Sequence, residues 1–373
     1  MDEVKLTQEL LRFNTINPPG NEEPVARYIG TILTEKGFDV QYQGLGKNRL
    51  QLIAKKGISE ITPPVVFNGH LDVVPLGTKK WIKDPFNGDI IDGKLYGRGA
   101  SDMKSGVAAM VCAAVQVFDE NPPKKGVRLI ITAGEEIGCF GARHLDPEKH
   151  DIGKASGLIV TEPTANIPVT GHKGGLFMSA KTTGISAHSS MPHEGDNAIY
   201  KAARAITKLE RYSFNNEMDE LLGCPTINVG TIQGGTNFNS VPDSTEFTMD
   251  IRTTKKNSNN RILQMIKDLL GNEVFVDAFV NLEPVHTDHT SHFVKVVYEV
   301  CRLYGIKTTL PATISYLTDA SVLQPLYGNV PTVILGPGQP EMAHKTDEFC
   351  YIDKIKQAVT IYKNILLKWE EVK

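Results

Sequence analysis

The chain has 373 residues, of which 40% are hydrophobic and 22% charged, and its formal net charge is −3. This length exceeds what one compact core usually needs, so we expect two domains. The near balance of charge argues against nucleic acid or an anionic membrane as a partner. No segment approaches ~18 consecutive apolar residues, so no membrane span is expected.

The N-terminus and the cysteines indicate the compartment. The first residues, MDEVKLTQELLRFN, form a charged amphipathic pattern that is unlike a secretory signal. The five cysteines are scattered, odd in number and without a C-x-x-C pair. This pattern predicts reduced thiols in a cytoplasmic protein.

Helix and strand patterns alternate through the first part of the chain. Amphipathic helices are predicted at residues 2–13 and 22–37, and a buried Ala-rich helix at 107–118. Short Val- and Ile-rich runs are typical of parallel core strands. These runs are VVFNGH (65–70), VRLIITA (127–133), GLIVTE (157–162) and VPTVILG (330–336). We therefore predict an α/β domain with a mixed, mostly parallel sheet and helices on both faces.

The middle of the chain follows a different order. After Gly171 the patterns read β-α-β-β-α-β, which is the ferredoxin-like order. We predict an inserted α+β domain at residues 174–285. The catalytic domain would then consist of residues 1–173 and 286–373, with a polar hinge at 283–292.

Acidic and histidine side chains follow the predicted parallel strands, where binding sites of such sheets form. They are His70 and Asp72, Glu135 and Glu136, Glu162, and His344, with Asp102 in the glycine-rich loop before the buried helix. Each residue alone could be structural, and Asp102 could simply cap its helix. Carboxylates gathered at one edge would repel one another unless a cation neutralised them. Imidazole together with carboxylate suits a pair of zinc-like ions rather than magnesium or calcium.

Five motifs in a fixed order carry a family resemblance. They are HLDVVP, GRGASDMKSG, TAGEEIG, VTEP and GPGQPEMAHKTDE. Together they resemble the dinuclear zinc aminoacylase and carboxypeptidase family, which includes acetylornithine deacetylase, succinyl-diaminopimelate desuccinylase, aminoacylases and dipeptidases. The resemblance covers nearly the whole chain. It implies a zinc-exopeptidase-like catalytic domain with an inserted lid and dimerisation domain.

The resemblance also implies roles for single residues. The implied ligands are His70 and Glu162 for one metal, Glu136 and His344 for the other, and Asp102 as the bridge, followed by a cis peptide to Met103. The ions would be zinc, with cobalt or manganese possible. Glu135 would be the general base, and Asp72 would hold the His70 ring through its other nitrogen. Cys139, close to the glutamate pair, is expected to be a small buried residue.

The resemblance also implies substrate contacts, mainly from the insert. His188, in AHSSMPHEGDNA, would donate to the tetrahedral oxyanion, either after domain closure or from a partner subunit. Arg252 would bind a substrate carboxylate, with Asn239 and the backbone of Gly338 as further contacts. The residues alone favour a surface turn for His188, and they leave open that Arg252 lies on a solvated strand end and Gly338 in a plain turn.

The function predicted from this resemblance is metal-dependent hydrolysis of the amide bond of an N-acyl amino acid. The protein would act on a small molecule or short peptide and form a homodimer through the insert. A dipeptidase or carboxypeptidase with the same dinuclear site is the first alternative. A non-catalytic binding protein on the same fold is the alternative of another class.

Overall fold

The structure is a computed structural model that describes residues 1–59, 61–214, 217–308 and 312–370. Its contacts divide the chain into two units. The first unit contains Met1–Gly171, His286–Ala312 and Thr318–Lys373, and the second contains His172–Val285 and Thr313–Leu317. The insert predicted at 174–285 falls within the second unit. The last three residues of the predicted catalytic domain, 371–373, lie outside the described residues.

The second unit also contains a short segment, Thr313–Leu317, that was predicted to belong to the catalytic domain. Thr313 Oγ1 donates to the carbonyl oxygen of Leu221 at 3.1 Å, and the carbonyl oxygen of Ile314 accepts from the amide of Lys173 at 3.4 Å. These bonds join Thr313–Leu317 to the second unit, although the segment is far from Leu221 in sequence.

The helices and strands of both units are numbered together in chain order. The helices are α1 (Glu3–Leu11), α2 (Glu23–Glu35), α3 (Lys104–Glu120), α4 (Phe140–Arg143), α5 (Ala198–Arg211), α6 (Asn259–Leu270), α7 (His292–Leu303), α8 (Ala320–Leu326) and α9 (Ile352–Glu370). The strands are β1 (Asp39–Gly44), β2 (Leu50–Lys56), β3 (Val65–His70), β4 (Ile90–Ile91), β5 (Lys94–Tyr96), β6 (Val127–Thr132), β7 (Gly157–Val160), β8 (Gly171–His172), β9 (Gly174–Thr183), β10 (Thr226–Gly234), β11 (Ser244–Thr253), β12 (Val274–Leu282), β13 (Val285–His286), β14 (Thr313–Ile314), β15 (Thr332–Ile334) and β16 (Phe349–Tyr351).

The first unit is built on a six-stranded sheet with the order β1-β2-β6-β3-β7-β15. Strands β6, β3, β7 and β15 are parallel to one another, whereas β2 is antiparallel to both β1 and β6. Every residue of β3, β6 and β7 is buried, so both faces of the sheet are covered. The predicted mixed, mostly parallel α/β sheet is therefore confirmed.

Helix α3 lies in the core of the first unit. All residues from Lys104 to Val115 are buried, and the helix packs against α1, α9 and strand β3. The helix begins at Lys104, three residues earlier than predicted, and the buried Lys104 side chain donates from Nζ to the carbonyl oxygen of Phe13 at 2.7 Å. Asp102 lies two residues before the helix, so the packing of α3 fixes the backbone position from which the Asp102 side chain extends.

The second unit contains an antiparallel sheet with the order β10-β11-β9-β12. Buried and exposed residues largely alternate along β11, as they do when one face of a sheet is covered. Its inward residues Phe247, Met249 and Ile251 share a core with residues of α5 and α6. The element order β-α-β-β-α-β with this strand order is the ferredoxin-like arrangement.

Within the described ranges, none of the helices has both the length and the apolar character that crossing a membrane requires.

Candidate metal centre

Side chains from five segments of the first unit meet beyond the carboxyl ends of its parallel strands. The segments are the end of β3 with His70, the turn after β6 with Glu135 and Glu136, the residues after β7 with Glu162, the loop after β15 with His344, and the loop before α3 with Asp102. Parallel strands end at the same edge of a sheet, which is why residues this far apart in sequence come together.

His70, Asp102 and Glu162 form one group of ligand-type atoms. The Nε2 atom of His70 lies 3.2 Å from Oδ1 of Asp102 and 3.7 Å from Oε1 of Glu162. The other ring nitrogen, Nδ1, lies 2.9 Å from the main-chain oxygen of Asp72. A carbonyl oxygen only accepts, so Nδ1 carries the proton and Nε2 keeps its lone pair free for a cation.

Asp102, Glu136 and His344 form the second group. The Nε2 atom of His344 lies 3.1 Å from Oε2 of Glu136 and 3.4 Å from Oδ2 of Asp102. Asp102 therefore directs one carboxylate oxygen to each group, which is the arrangement of a bridging ligand. The peptide between Asp102 and Met103 is cis.

These groups fit a pair of divalent ions. Ligand atoms about 2.0–2.2 Å from a tetrahedral zinc lie about 3.3–3.6 Å apart, close to the spacing in both groups. Burial, followed by the charge of Asp102, raises the pKa values of Glu136 and Glu162. The Oε1 atom of Glu136 is buried and receives no hydrogen bond within the described residues. A bound cation would stabilise the ionised form of such buried carboxylates.

The Asp72 carboxylate organises the turn that carries the two glutamates. Its Oδ1 accepts from the amides of Gly134 and Glu135 at 2.7 and 3.0 Å. Its Oδ2 accepts from the amide of Glu136 at 3.1 Å and from Nδ2 of Asn17 at 2.8 Å. The prediction placed this carboxylate on the His70 ring, but its Oδ1 lies 3.6 Å from Nδ1, so the nearer main-chain oxygen holds the ring.

A buried carboxylate that the sequence analysis did not single out supports the Asp102 loop. Oε1 of Glu348 accepts from the amides of Ser101 and Asp102 at 2.8 and 2.9 Å. Oε2 accepts from the amide of Gly99 at 3.1 Å and from Nη1 of Arg98 at 2.7 Å. Burial raises the pKa of Glu348 to about 7, and the Arg98 charge opposes that rise. Four converging donors favour the ionised carboxylate.

The same residue connects two ligand-bearing loops. Glu348 follows His344 by four residues, and Nη1 of Arg98 also donates to the carbonyl oxygen of Lys345 at 3.1 Å. The loop with His344 and the loop with Asp102 are therefore joined through one ion pair. Gly338, predicted to contact substrate, packs against this arrangement, because a Cβ there would overlap the carbonyl oxygen of Ser101.

Glu135, the predicted general base, precedes Glu136 in the turn after β6 and belongs to neither set of ligands. Its side chain is buried, and burial is the main cause that raises its pKa. The thiol of Cys139 is 3.6 Å from Oε1 of Glu135. Asp319, a buried residue that was not predicted from the sequence, has a carboxylate oxygen within 4.8 Å of both that thiol and the Glu135 carboxylate.

The remaining predicted residues belong to the second unit. Nδ1 of His188 accepts from the amide of Ser190 at 3.2 Å and pairs with the Ser190 hydroxyl at 2.8 Å. The Asn239 carbonyl oxygen accepts from the amide of Ser189 at 3.0 Å, so Asn239 and His188 lie on adjacent backbone segments. Arg252 pairs with Asp250 through Nε and Nη2, each at 2.9 Å, and its role in binding substrate stays a prediction.

The fold and the cluster of histidines and carboxylates define a metal-dependent hydrolase of amide bonds. The model of peptidase family M20/M25/M40 matches residues 66–368, and the chain belongs to this family. A Staphylococcus epidermidis protein named "Probable succinyl-diaminopimelate desuccinylase" is 29% identical over 402 aligned positions, covering 99% of this chain and 98% of that protein. Acetylornithine deacetylase of Vibrio parahaemolyticus is 30% identical, covering 94% of this chain and 92% of that enzyme.

Solved structures show the same fold. An M20 family metallo-carboxypeptidase from Sulfolobus solfataricus superimposes with a TM-score of 0.84 at 20% identity, and all of both chains is covered. A dinuclear metal-binding M20 peptidase from Bacillus subtilis gives a TM-score of 0.71 at 17% identity, covering 100% of this chain and 98% of that one. The family resemblance found in the sequence is confirmed.

Proposed function

We propose that this protein hydrolyses the amide bond of an N-acyl amino acid, in the manner of a deacetylase or desuccinylase. The observation that supports this most directly is the pair of ligand groups that share Asp102, with Glu135 beside them and outside both. The two relatives named for deacylation are 29% and 30% identical to this chain, compared with 20% for the solved metallo-carboxypeptidase, which supports a deacylase over a peptidase.

In this proposal the ligand groups would hold two divalent ions, with zinc as the first candidate and cobalt or manganese as others. When bound, the ions supply Lewis acidity to a water molecule and to the amide carbonyl. Glu135 takes the proton of the attacking water and passes it to the leaving nitrogen. Its buried position, outside both ligand groups, suits a group that takes a proton from water and passes it on within the site.

His188 is the proposed oxyanion donor. A main-chain amide can only donate, so the bond from Ser190 makes Nδ1 of His188 an acceptor. In the neutral ring the proton then lies on Nε2, where it can be donated to the oxyanion that develops in the transition state. The ligands and His188 belong to different units, so His188 would serve the site of its own chain or that of a partner subunit.

Replacing His188 with alanine is expected to lower kcat by about 10²- to 10³-fold, because one oxyanion donor is lost. KM and the metal content should stay near the parent values, since His188 belongs to neither ligand group. Steady-state kinetics and metal analysis of the purified variant check this. His193→Ala in the same segment is the control, and a His188→Ala enzyme as fast as that control contradicts the role.

A complementation experiment decides which chain supplies His188. The His188→Ala and Glu135→Gln variants are unfolded together and refolded as a mixture. If His188 acts across subunits, a mixed dimer contains one site with both residues intact, and activity returns. If His188 acts within its own chain, every site lacks one residue and the mixture stays as inactive as the separate variants.

The proposed substrate contacts are Arg252, Asn239 and the backbone of Gly338. A guanidinium can bind a carboxylate in bidentate fashion, and Arg252 already forms an ion pair with the Asp250 carboxylate. A substrate carboxylate would have to compete with that pair or share the guanidinium with it. The proposed homodimer would form through the second unit, whose sheet has edge strands β10 and β12. A cytoplasmic location stays a prediction.

A panel of substrates tests the activity. We expect metal-loaded protein to hydrolyse at least one N-acetyl or N-succinyl amino acid faster than any dipeptide, measured as kcat/KM from release of the free amine. A preference for dipeptides or for C-terminal cleavage would establish the peptidase alternative, which the solved M20 metallo-carboxypeptidase favours. No turnover of either class would contradict the proposed function.

A further inference from the structure

A buried thiol and a buried carboxylate lie next to the proposed general base. Cys139 and Asp319 are 0% and 1% exposed. One ligand-type atom each from Glu135, Cys139 and Asp319 lie within 4.8 Å of one another. The Sγ atom of Cys139 is 3.6 Å from Oε1 of Glu135, within the range of a hydrogen bond from a thiol. None of the roles assigned so far uses Cys139 or Asp319.

The protein backbone fixes the position of the thiol. Cys139 has a φ of 55°, in the left-handed region, and its amide donates to the carbonyl oxygen of Glu135 at 2.8 Å. This tight turn brings the Cys139 side chain back towards the Glu135 carboxylate. A non-glycine residue in this backbone region is uncommon and is retained where the surrounding structure enforces it.

Two side chains of the six-stranded sheet hold the Asp319 carboxylate in place. Its Oδ2 accepts from Oγ1 of Thr132 at 2.6 Å and from Nδ2 of Asn68 at 3.4 Å. Thr132 ends β6 and Asn68 lies in β3, so the carboxylate is attached to the two strands that precede the site. A carboxylate oxygen of Asp319 lies within 4.8 Å of the Cys139 Sγ atom, so a second buried carboxylate is close to the thiol.

The environment keeps the proton on the thiol. Burial raises the pKa of Cys139, and the charges of Glu135 and Asp319 raise it further. A protonated thiol can donate, whereas a metal ligand must be the thiolate. The cluster is therefore better suited to hold a proton than a third metal ion.

We propose that Cys139 is a positioning residue, whose thiol holds the Glu135 carboxylate in the orientation that proton transfer requires. The inference rests on the proposed function, because it assigns Cys139 a task only if Glu135 is the base. A general base must lie within hydrogen-bond reach of the proton that it takes. Small misplacements of a reacting group lower the rate strongly, even when substrate binding is unchanged.

The test compares Cys139→Ala with Cys139→Ser. The alanine variant removes the donor, and we expect kcat to fall about tenfold, which corresponds to about 1.4 kcal/mol. KM and the metal content should stay at the parent values. The serine variant keeps a donor at the same position, and it should retain most of the parent kcat. Cys301→Ala, which removes a buried thiol from α7, is the matched control and should leave kcat unchanged.

Several results would overturn the proposal. Equal kcat values for the alanine and serine variants would show that the donor has no effect on the rate. A loss of metal, or of a third metal equivalent, in Cys139→Ala would make the thiol a ligand instead. Glu135→Gln in the same assay separates the two claims. If that variant keeps its turnover, the proposed base is wrong. If it loses turnover while Cys139→Ala does not, only the positioning role is wrong.

Discussion

Replacing Glu135 with glutamine should nearly abolish turnover while the protein keeps its metal. The amide has almost the shape of the carboxylate but cannot take a proton from water, so we expect kcat to fall by about 10²- to 10⁴-fold. Both ligand groups stay intact, because neither includes Glu135. The measurements are kcat on the best substrate of the panel and the number of metal ions per chain.

The neighbouring glutamate provides the matched comparison. Glu136 belongs to the group with His344, so Glu136→Gln should lose metal from that group. The two variants make the same chemical change at consecutive positions of one turn. Normal turnover in Glu135→Gln would refute its role as the base. Loss of metal from Glu135→Gln to the same degree as from Glu136→Gln would make Glu135 a ligand.

The sequence predicts most of the candidate ligands because they lie directly after a recognisable strand or, for Asp102, just before a helix. Apolar runs end in His70, in the pair after β6, and in Glu162, and a parallel sheet brings such ends to one edge. The order of the motifs then allows roles to be assigned through the family. The apolar patterns predict these ligands because each ligand is close in sequence to the strand that positions it.

The residues that support the site could not be predicted in this way. The bond between Asn17 and Asp72 joins positions 55 residues apart, and the bond between Glu348 and Asp102 joins positions 246 residues apart. Such bonds depend on how loops fold over one another, and they leave no periodic pattern in the sequence. Cys139 reads as a small core residue for the same reason, since only the folded turn brings its thiol to Glu135.

A main-chain atom of Asp72 makes a contact that was expected of its side chain. The resemblance implied that the Asp72 side chain holds the His70 ring, but the main-chain oxygen of the same residue is the closer partner. Its carboxylate instead accepts from three consecutive amides at Gly134, Glu135 and Glu136. Residue type alone does not reveal which atoms make a contact, because this depends on the backbone of the turn.

Replacing Glu348 with glutamine should weaken metal binding and destabilise the fold together. Glutamine has one oxygen, and its amide group would face either the two amides at Ser101 and Asp102 or the donors at Gly99 and Arg98. Arg98 is 1% exposed and would lose its carboxylate partner. Breaking a buried pair costs about 3–5 kcal/mol of unfolding free energy. Metal affinity should fall about 10- to 100-fold, as is usual when a residue that orients a ligand is lost.

Two measurements separate these effects. Urea unfolding of metal-free protein reports the stability lost with the ion pair. Zinc titration against a chelator, at urea concentrations where the variant is still folded, reports the affinity of the site. The control is Glu120→Gln, which breaks a surface pair with Lys363 in which Glu120 is 61% exposed, and which should change stability by less than about 1 kcal/mol. If folded Glu348→Gln binds zinc as tightly as this control, then Glu348 stabilises the fold without orienting Asp102, and the connection between the two ligand loops has no effect on the metal.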